Sequence, residues 1–93
     1  MVTTIYVDSI RRYPSGPWCH MATDGPLEEL YSFAERMGLS RSRLQHHRLV
    51  PHYDLRPSGR ERAIALGAVE VSSKELLRRT RRDEGSSVSL SSQ

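Results

Sequence analysis

Asp24-Gly25-Pro26-Leu27-Glu28-Glu29-Leu30-Tyr31-Ser32-Phe33-Ala34-Glu35-Arg36-Met37-Gly38 decides the fold class of this chain. Leu27, Leu30, Tyr31, Ala34 and Met37 fall at i, i+3, i+4, i+7 and i+10, which makes one apolar stripe on a helix. Pro26 is tolerated in a first turn, Glu28 and Glu29 suit the positive end of the helix dipole, and Gly38 supplies a terminator. A helix with a single apolar stripe has to bury it against another layer. The residues on either side indicate that the layer is a sheet.

Upstream, Thr3 to Val7 is β-branched or aromatic and predicts a buried first strand ending at Asp8. Trp18 to Ala22 predicts a second strand. Between them Arg11 to Pro17 (RRYPSGP) predicts a loop, because two prolines and a glycine interrupt regular structure. Downstream, Ser42 to Leu49 predicts a short third strand, followed by a loop containing His52-Tyr53-Asp54. Pro57-Ser58-Gly59 opens a second helix through Leu66, ended by Gly67, and Ala68 to Val71 is a short strand. Ser72 with Glu75 three residues on predicts a capping box for a last helix, Ser73 to about Arg82. The order β-β-α-β-α-β-α predicts an α/β fold: a single small domain over residues 1–84, with a sheet of about four short strands and three helices packed on it. Residues 85–93 are serine-rich with little to bury and predict a disordered tail.

Ninety-three residues leave room for one core. A chain this short buries a modest fraction of its surface, so self-association into a homo-oligomer is expected as a supplement. The net charge is +3 with a pI near 9.5, and thirteen arginines stand against the single Lys74. That balance favours anionic partners, and arginine forks suit phosphate or carboxylate. The lone Cys19 rules out an intramolecular disulfide framework. Met1 to Val7 lacks a basic start followed by a long apolar run, and no stretch approaches a membrane span, so a cytoplasmic protein with no membrane partner is expected.

Polar chemistry collects in three segments: Tyr6-Val7-Asp8, Trp18-Cys19-His20-Met21, and His46-His47 through His52-Tyr53-Asp54. If the last is extended, His52 and Asp54 share a face and Tyr53 points the other way. Such a pair orients an imidazole for ligand binding or proton transfer; the purely structural alternative is a turn in which Asp54 bonds the backbone ahead of Pro57. Trp18 and His20 share a strand face, and the alternative for them is a core tryptophan beside an edge histidine. Cys19 and His20 point apart, which disfavours a nucleophile pair. Asp8, His20, His46, His47, His52 and Asp54 are competent metal ligands, but their spacing matches no compact signature such as HExxH, so no metal or other cofactor is expected and any metal site would have to be assembled by the fold. Arg78-Arg79-Thr80-Arg81-Arg82 is a basic run at a helix end, without a recognised nucleic-acid motif. There is no GxGxxG or P-loop.

Tyr6-Val7-Asp8, Trp18-Cys19-His20-Met21, Leu27-Glu28-Glu29-Leu30 with Phe33-Ala34, Gln45, His52-Tyr53-Asp54 and Ala65-Leu66-Gly67-Ala68 together resemble the family of short bacterial and phage proteins called domain of unknown function 4031. The similarity runs from about Ile5 to Arg79. Where the family often carries Trp-Phe-Gln, this chain has Arg43-Leu44-Gln45. The resemblance implies a compact accessory protein, in some cases phage-borne, with the Asp, Trp-x-His and His-Tyr-Asp segments as its recurrent polar features; it implies no activity.

The leading expectation is non-enzymatic binding of a small anionic ligand, a nucleotide or nucleotide-derived signal. In a phage protein this would sequester a host immune signal. Trp18 or Tyr53 would stack on the planar group. Arg11, Arg12 and Arg56 would face phosphates, while His20 and His52 would supply hydrogen bonds. Asp8 and Asp54 would fix the histidines or receive ribose hydroxyls. No catalytic residue is assigned. Two alternatives stand beside this: a His-based or metal-dependent hydrolase or phosphodiesterase, and a nucleic-acid-binding module using the Arg78–Arg82 helix.

Overall fold

A computed structural model describes residues 3–82. The elements are β1 (Ile5–Val7), β2 (Arg11–Tyr13), β3 (Gly16–Thr23), α1 (Leu27–Arg36), a 3-10 turn (Arg41–Arg43), β4 (Tyr53–Leu55), α2 (Pro57–Ala65), β5 (Val69–Glu70) and α3 (Ser73–Thr80). The fold is the expected small α/β domain, with three helices and a mixed sheet of five strands. The expected tail at residues 85–93 lies outside the described residues.

β3 is the spine. β1 and β2 pair antiparallel with its two ends, Val7 opposite Met21 and Arg11 opposite Trp18. The step from Val7 to Arg11 is four residues and the facing step from Met21 to Trp18 is three, so β1 and β2 form one interrupted line that carries one extra residue, a β-bulge. β4 pairs antiparallel with the middle of β3, with His20 opposite Asp54. β5 adds a parallel edge to β1.

Two stretches differ from expectation. RRYPSGP is a β-hairpin rather than a loop: Pro14 and Ser15 fill the turn, while Arg11–Tyr13 pairs with Gly16–Trp18. The turn closes because Gly16 takes a φ of +118°, which an L side chain resists. Ser42–Leu49 is not a strand. Only Leu44 turns inward in Ser42–Arg48, so no alternating face holds it to the sheet, and one bridge, Gln45 with His52, is its sole ladder contact among the described residues. The strand next to β3 is instead Tyr53–Leu55, in the segment expected to be a loop. α3 also ends at Thr80, short of Arg82.

Strand alternation sorts the side chains into two cores. Ile5, Val7, Cys19, Met21, Tyr53 and Leu55 face α1 and α2 and pack with Leu30, Phe33, Ala34 and Ala63. On the opposite face Tyr6 and Ala22 pack with Val50 and with Leu76 of α3. Ser72 caps α3 by accepting the Glu75 N–H at 3.0 Å. The reciprocal half of the expected box is missing, because the Glu75 carboxylate is held by Arg78 and Arg79 instead. Leu30 of α1 is fully buried in the larger core. Leu30→Ala is therefore expected to cost about 2–5 kcal/mol, read as a lowered denaturation midpoint with an unchanged slope.

Candidate functional site

The smaller core packs on its sheet face at Tyr6 and Ala22. Beyond Tyr6 and Ala22 the same alternation brings Asp8, His20, Trp18 and Asp54 to that face, in line with the end of α3 that begins at Ser73. The site is built outward from Asp8.

Asp8 is 1% exposed, and its carboxylate is fully engaged. Its Oδ1 accepts the His20 backbone N–H at 2.7 Å. Its Oδ2 lies 2.9 Å from His20 Nδ1 and accepts the Ser73 hydroxyl at 2.9 Å. Burial alone would push this carboxyl up, yet the His20 ring and N–H, with Ser73, outweigh it and hold Asp8 below the ordinary 3.8. His20 is displaced the other way. Its bond to Asp8 raises it above 6.5 against an opposing contribution from burial, with Asp54 adding to the rise and Arg11 resisting it.

His20 directs Nε2 towards Asp54, 4.0 Å away. His52 lies edge-on to the His20 ring, centroids 4.9 Å apart, with its own Nε2 3.5 Å from Asp54 Oδ1. The His52 Nδ1 is tied to the Val50 carbonyl at 2.7 Å. A carbonyl only accepts, so Nδ1 carries the proton and Nε2 is the free nitrogen of the neutral ring. The strand alternation expected for His52-Tyr53-Asp54 thus holds, with His52 and Asp54 on one face and Tyr53 buried on the other.

These groups floor a cleft of about 430 Å³ walled by Tyr13, Ser15 and Trp18. Trp18 donates Nε1–H to Ser15 Oγ at 2.9 Å, which fixes the ring. The Arg56 guanidinium lies 3.9 Å from the Trp18 ring centroid. Arg56 lines a second cleft of about 420 Å³ and not the first, so it covers one side of the indole and leaves the other side to the His-Asp cleft. A third hollow of about 300 Å³ continues past His20 and His52 to His47, Leu76 and Leu77.

Of the residues singled out from sequence, Asp8, Trp18, His20, His52 and Asp54 converge. Arg11 is on the same face, paired with Trp18, and Arg56 borders the site through Trp18. Arg12 points to the opposite face, one step along from Arg11. Tyr53 is core, its hydroxyl raised above its ordinary pKa by burial. Tyr13, Ser15 and Ser73 belong to the site without having been singled out; the alternation in Arg11-Arg12-Tyr13 was the one available signal. Cys19 is buried on the far face, its thiol pushed up to about 12 by burial with Asp8 adding, so it is no nucleophile. The arginines of the basic run lie at the surface, three of them in contacts within the chain. Arg78 and Arg79 grip Glu75, drawing its carboxyl down to about 2, and Arg82 donates to the Gly25 carbonyl at 2.7 Å.

Fold and site define a small α/β domain with helices on both sheet faces and a pair of histidines, one held by Asp8 and the other by the Val50 carbonyl, opening on a tryptophan-walled cleft. Residues 5–83 match the family described as "Protein of unknown function (DUF4031)", and the chain belongs to that family. No curated protein and no solved structure matches it.

The Asp8–His20 pair sets a pH signature. Asp8 is depressed, so its contribution to stability is present above 3.8 and lost as pH falls through its folded value. His20 is raised, so its contribution is complete below 6.5 and lost as pH rises through its folded value. The stability gap between wild type and Asp8→Asn is therefore expected to peak between pH 3.8 and 6.5 and to narrow on both sides, as measured by chemical denaturation across pH.

Proposed function

We propose that the protein binds a small anionic ligand with a planar group, a nucleotide or nucleotide derivative, in the cleft walled by Trp18. The observation that carries this reading is the indole itself: it is pinned by Ser15, backed on one side by Arg56, and lines an open cleft on the other. A fixed aromatic plane beside cationic groups is the arrangement that stacks a base or similar ring and holds its phosphate. Arg11, whose charge reaches His20, and Arg56 supply the positive field, in keeping with the net charge of +3. Arg12 and Tyr53 have no part in it. Binding without turnover would let a short protein sequester a nucleotide signal, and assembly of several copies would multiply the sites.

Hydrolysis is the second reading, favoured by the two imidazoles that both turn Nε2 to one point in the cleft. Recovery of the ligand separates the two.

A thermal-shift and calorimetric screen against mono- and dinucleotides is expected to yield a ligand recovered intact. Trp18→Ala should weaken it by about 1–3 kcal/mol, the worth of one stacked base, with the fold retained by circular dichroism. A ligand that is consumed would replace binding with catalysis, and affinity unchanged in Trp18→Ala would remove the cleft from the reading.

A further inference from the structure

We propose that His20, His52 and Asp54 form a three-ligand site for one divalent first-row transition ion of the zinc or iron class. The proposal stands on the geometry of these side chains and does not depend on what the cleft binds.

Each of the three side chains offers one donor atom, all within 4.8 Å of one another, and the nitrogens that face Asp54 Oδ1 are His20 Nε2 and His52 Nε2. The 4.0 Å and 3.5 Å separations from Asp54 are beyond ordinary hydrogen-bond length, so the three atoms surround a common point without bonding each other. A tetrahedral ion with bonds of about 2.0–2.2 Å holds its donors about 3.4 Å apart, so side-chain shifts of about 1 Å or less complete the site. The donors also rest on a rigid base. His20 and Asp54 are direct partners across β3 and β4, and His52 stands two residues before Asp54 on the same face.

The second observation is what lies behind the donors. Ligating histidines characteristically give their other ring N–H to a carboxylate or a backbone carbonyl, which fixes the tautomer and orients the ring. Here both do. His20 Nδ1 is held by Asp8 Oδ2, itself fixed by Ser73, and His52 Nδ1 is held by the Val50 carbonyl. A chance grouping of two histidines and an aspartate has no reason to have both Nδ1 atoms anchored and both Nε2 atoms aimed at one point. Two imidazoles and one carboxylate suit zinc, iron, cobalt or nickel, whereas magnesium and calcium prefer all-oxygen shells. The remaining coordination positions face the cleft of about 430 Å³, open to water or an anionic oxygen.

The test uses the full untagged chain, stripped of metal and titrated with Co²⁺, Zn²⁺ and Mg²⁺ alone. The expected result is one equivalent of Co²⁺ with visible d–d absorption bands, displaced by Zn²⁺ and indifferent to Mg²⁺. His52→Ala should lose the bands and weaken Zn²⁺ by more than the roughly 10–100-fold typical of losing an outer-shell partner. Asp54→Asn, at an exposed position where the fold survives, should do the same. His46→Ala, outside the cluster, should bind as wild type. Absence of stoichiometric binding, binding that persists in both His52→Ala and Asp54→Asn, or equal loss in His46→Ala would overturn the site. Because metal is the only probe, the result decides this site whatever the nucleotide screen returns.

Discussion

The buried carboxylate of Asp8 is the constraint on which the rest of the site depends. A charge removed from water is tolerable only when its acceptor positions are filled. Asp8 fills them with the backbone and ring of His20 and with Ser73, while its own carbonyl accepts Arg60 Nε at 2.7 Å. One residue thereby ties β1 to β3, to the start of α3 and to α2. The β-bulge follows directly after it, which is where a strand departs from regular pairing when a side chain takes over a neighbour's N–H. Arg60 in turn reaches Glu70 of β5 at 3.2 Å, extending the network to the parallel edge strand.

The rest of the architecture follows from alternation along strands held in that register. One face of β3 carries Cys19 and Met21 into the larger core, and the other carries Trp18, His20 and Ala22. α3 covers that second face at Ala22 and Tyr6, and its Ser73 end meets Asp8 beyond them. The polar residues at the uncovered end are then solvated from the cleft side and supported from the core side, as a pre-organised site requires. Small size contributes, since eight-residue α3 cannot cover the whole face.

What could be read in the sequence was what local chemistry determines. α1, the Pro57 helix, the Gly38 and Gly67 stops and the Ser72 cap depend on side chains a few residues apart, and all were legible. The shared face of His52 and Asp54 was legible as a consequence of extension. β2 and β4 were not: β2 is exposed along its whole length and shows no apolar face, and both exist through pairing with β3. Pro14-Ser15-Gly16 looked like the end of structure when it is the turn of a hairpin. The loop reading of RRYPSGP is also why Arg12 is expected at a site it turns away from and Tyr13 is not, whereas alternation in His52-Tyr53-Asp54 by itself already turns Tyr53 away from the pair. Ser73 was readable as a helix residue, but its bond to Asp8 spans sixty-five residues and has no local trace.

The two carboxylates of the site have different roles. Asp8 is buried with its acceptor positions filled by His20 and Ser73, so it acts on the cleft through the His20 ring it orients. Asp54 is half-exposed at the mouth, and neither histidine is close enough to hydrogen-bond it. An anion entering beside Trp18 meets that charge at short range, where water screens it poorly. Arg11 and Arg56 offset it from the cleft walls, whereas a divalent cation held by Asp54 itself would reverse its sign at the point where a phosphate oxygen arrives. The anionic-ligand reading and the metal reading are thus separable by experiment but electrostatically cooperative. Asp54, the residue that most opposes an anion in the bare cleft, is the one whose coordination would most favour it.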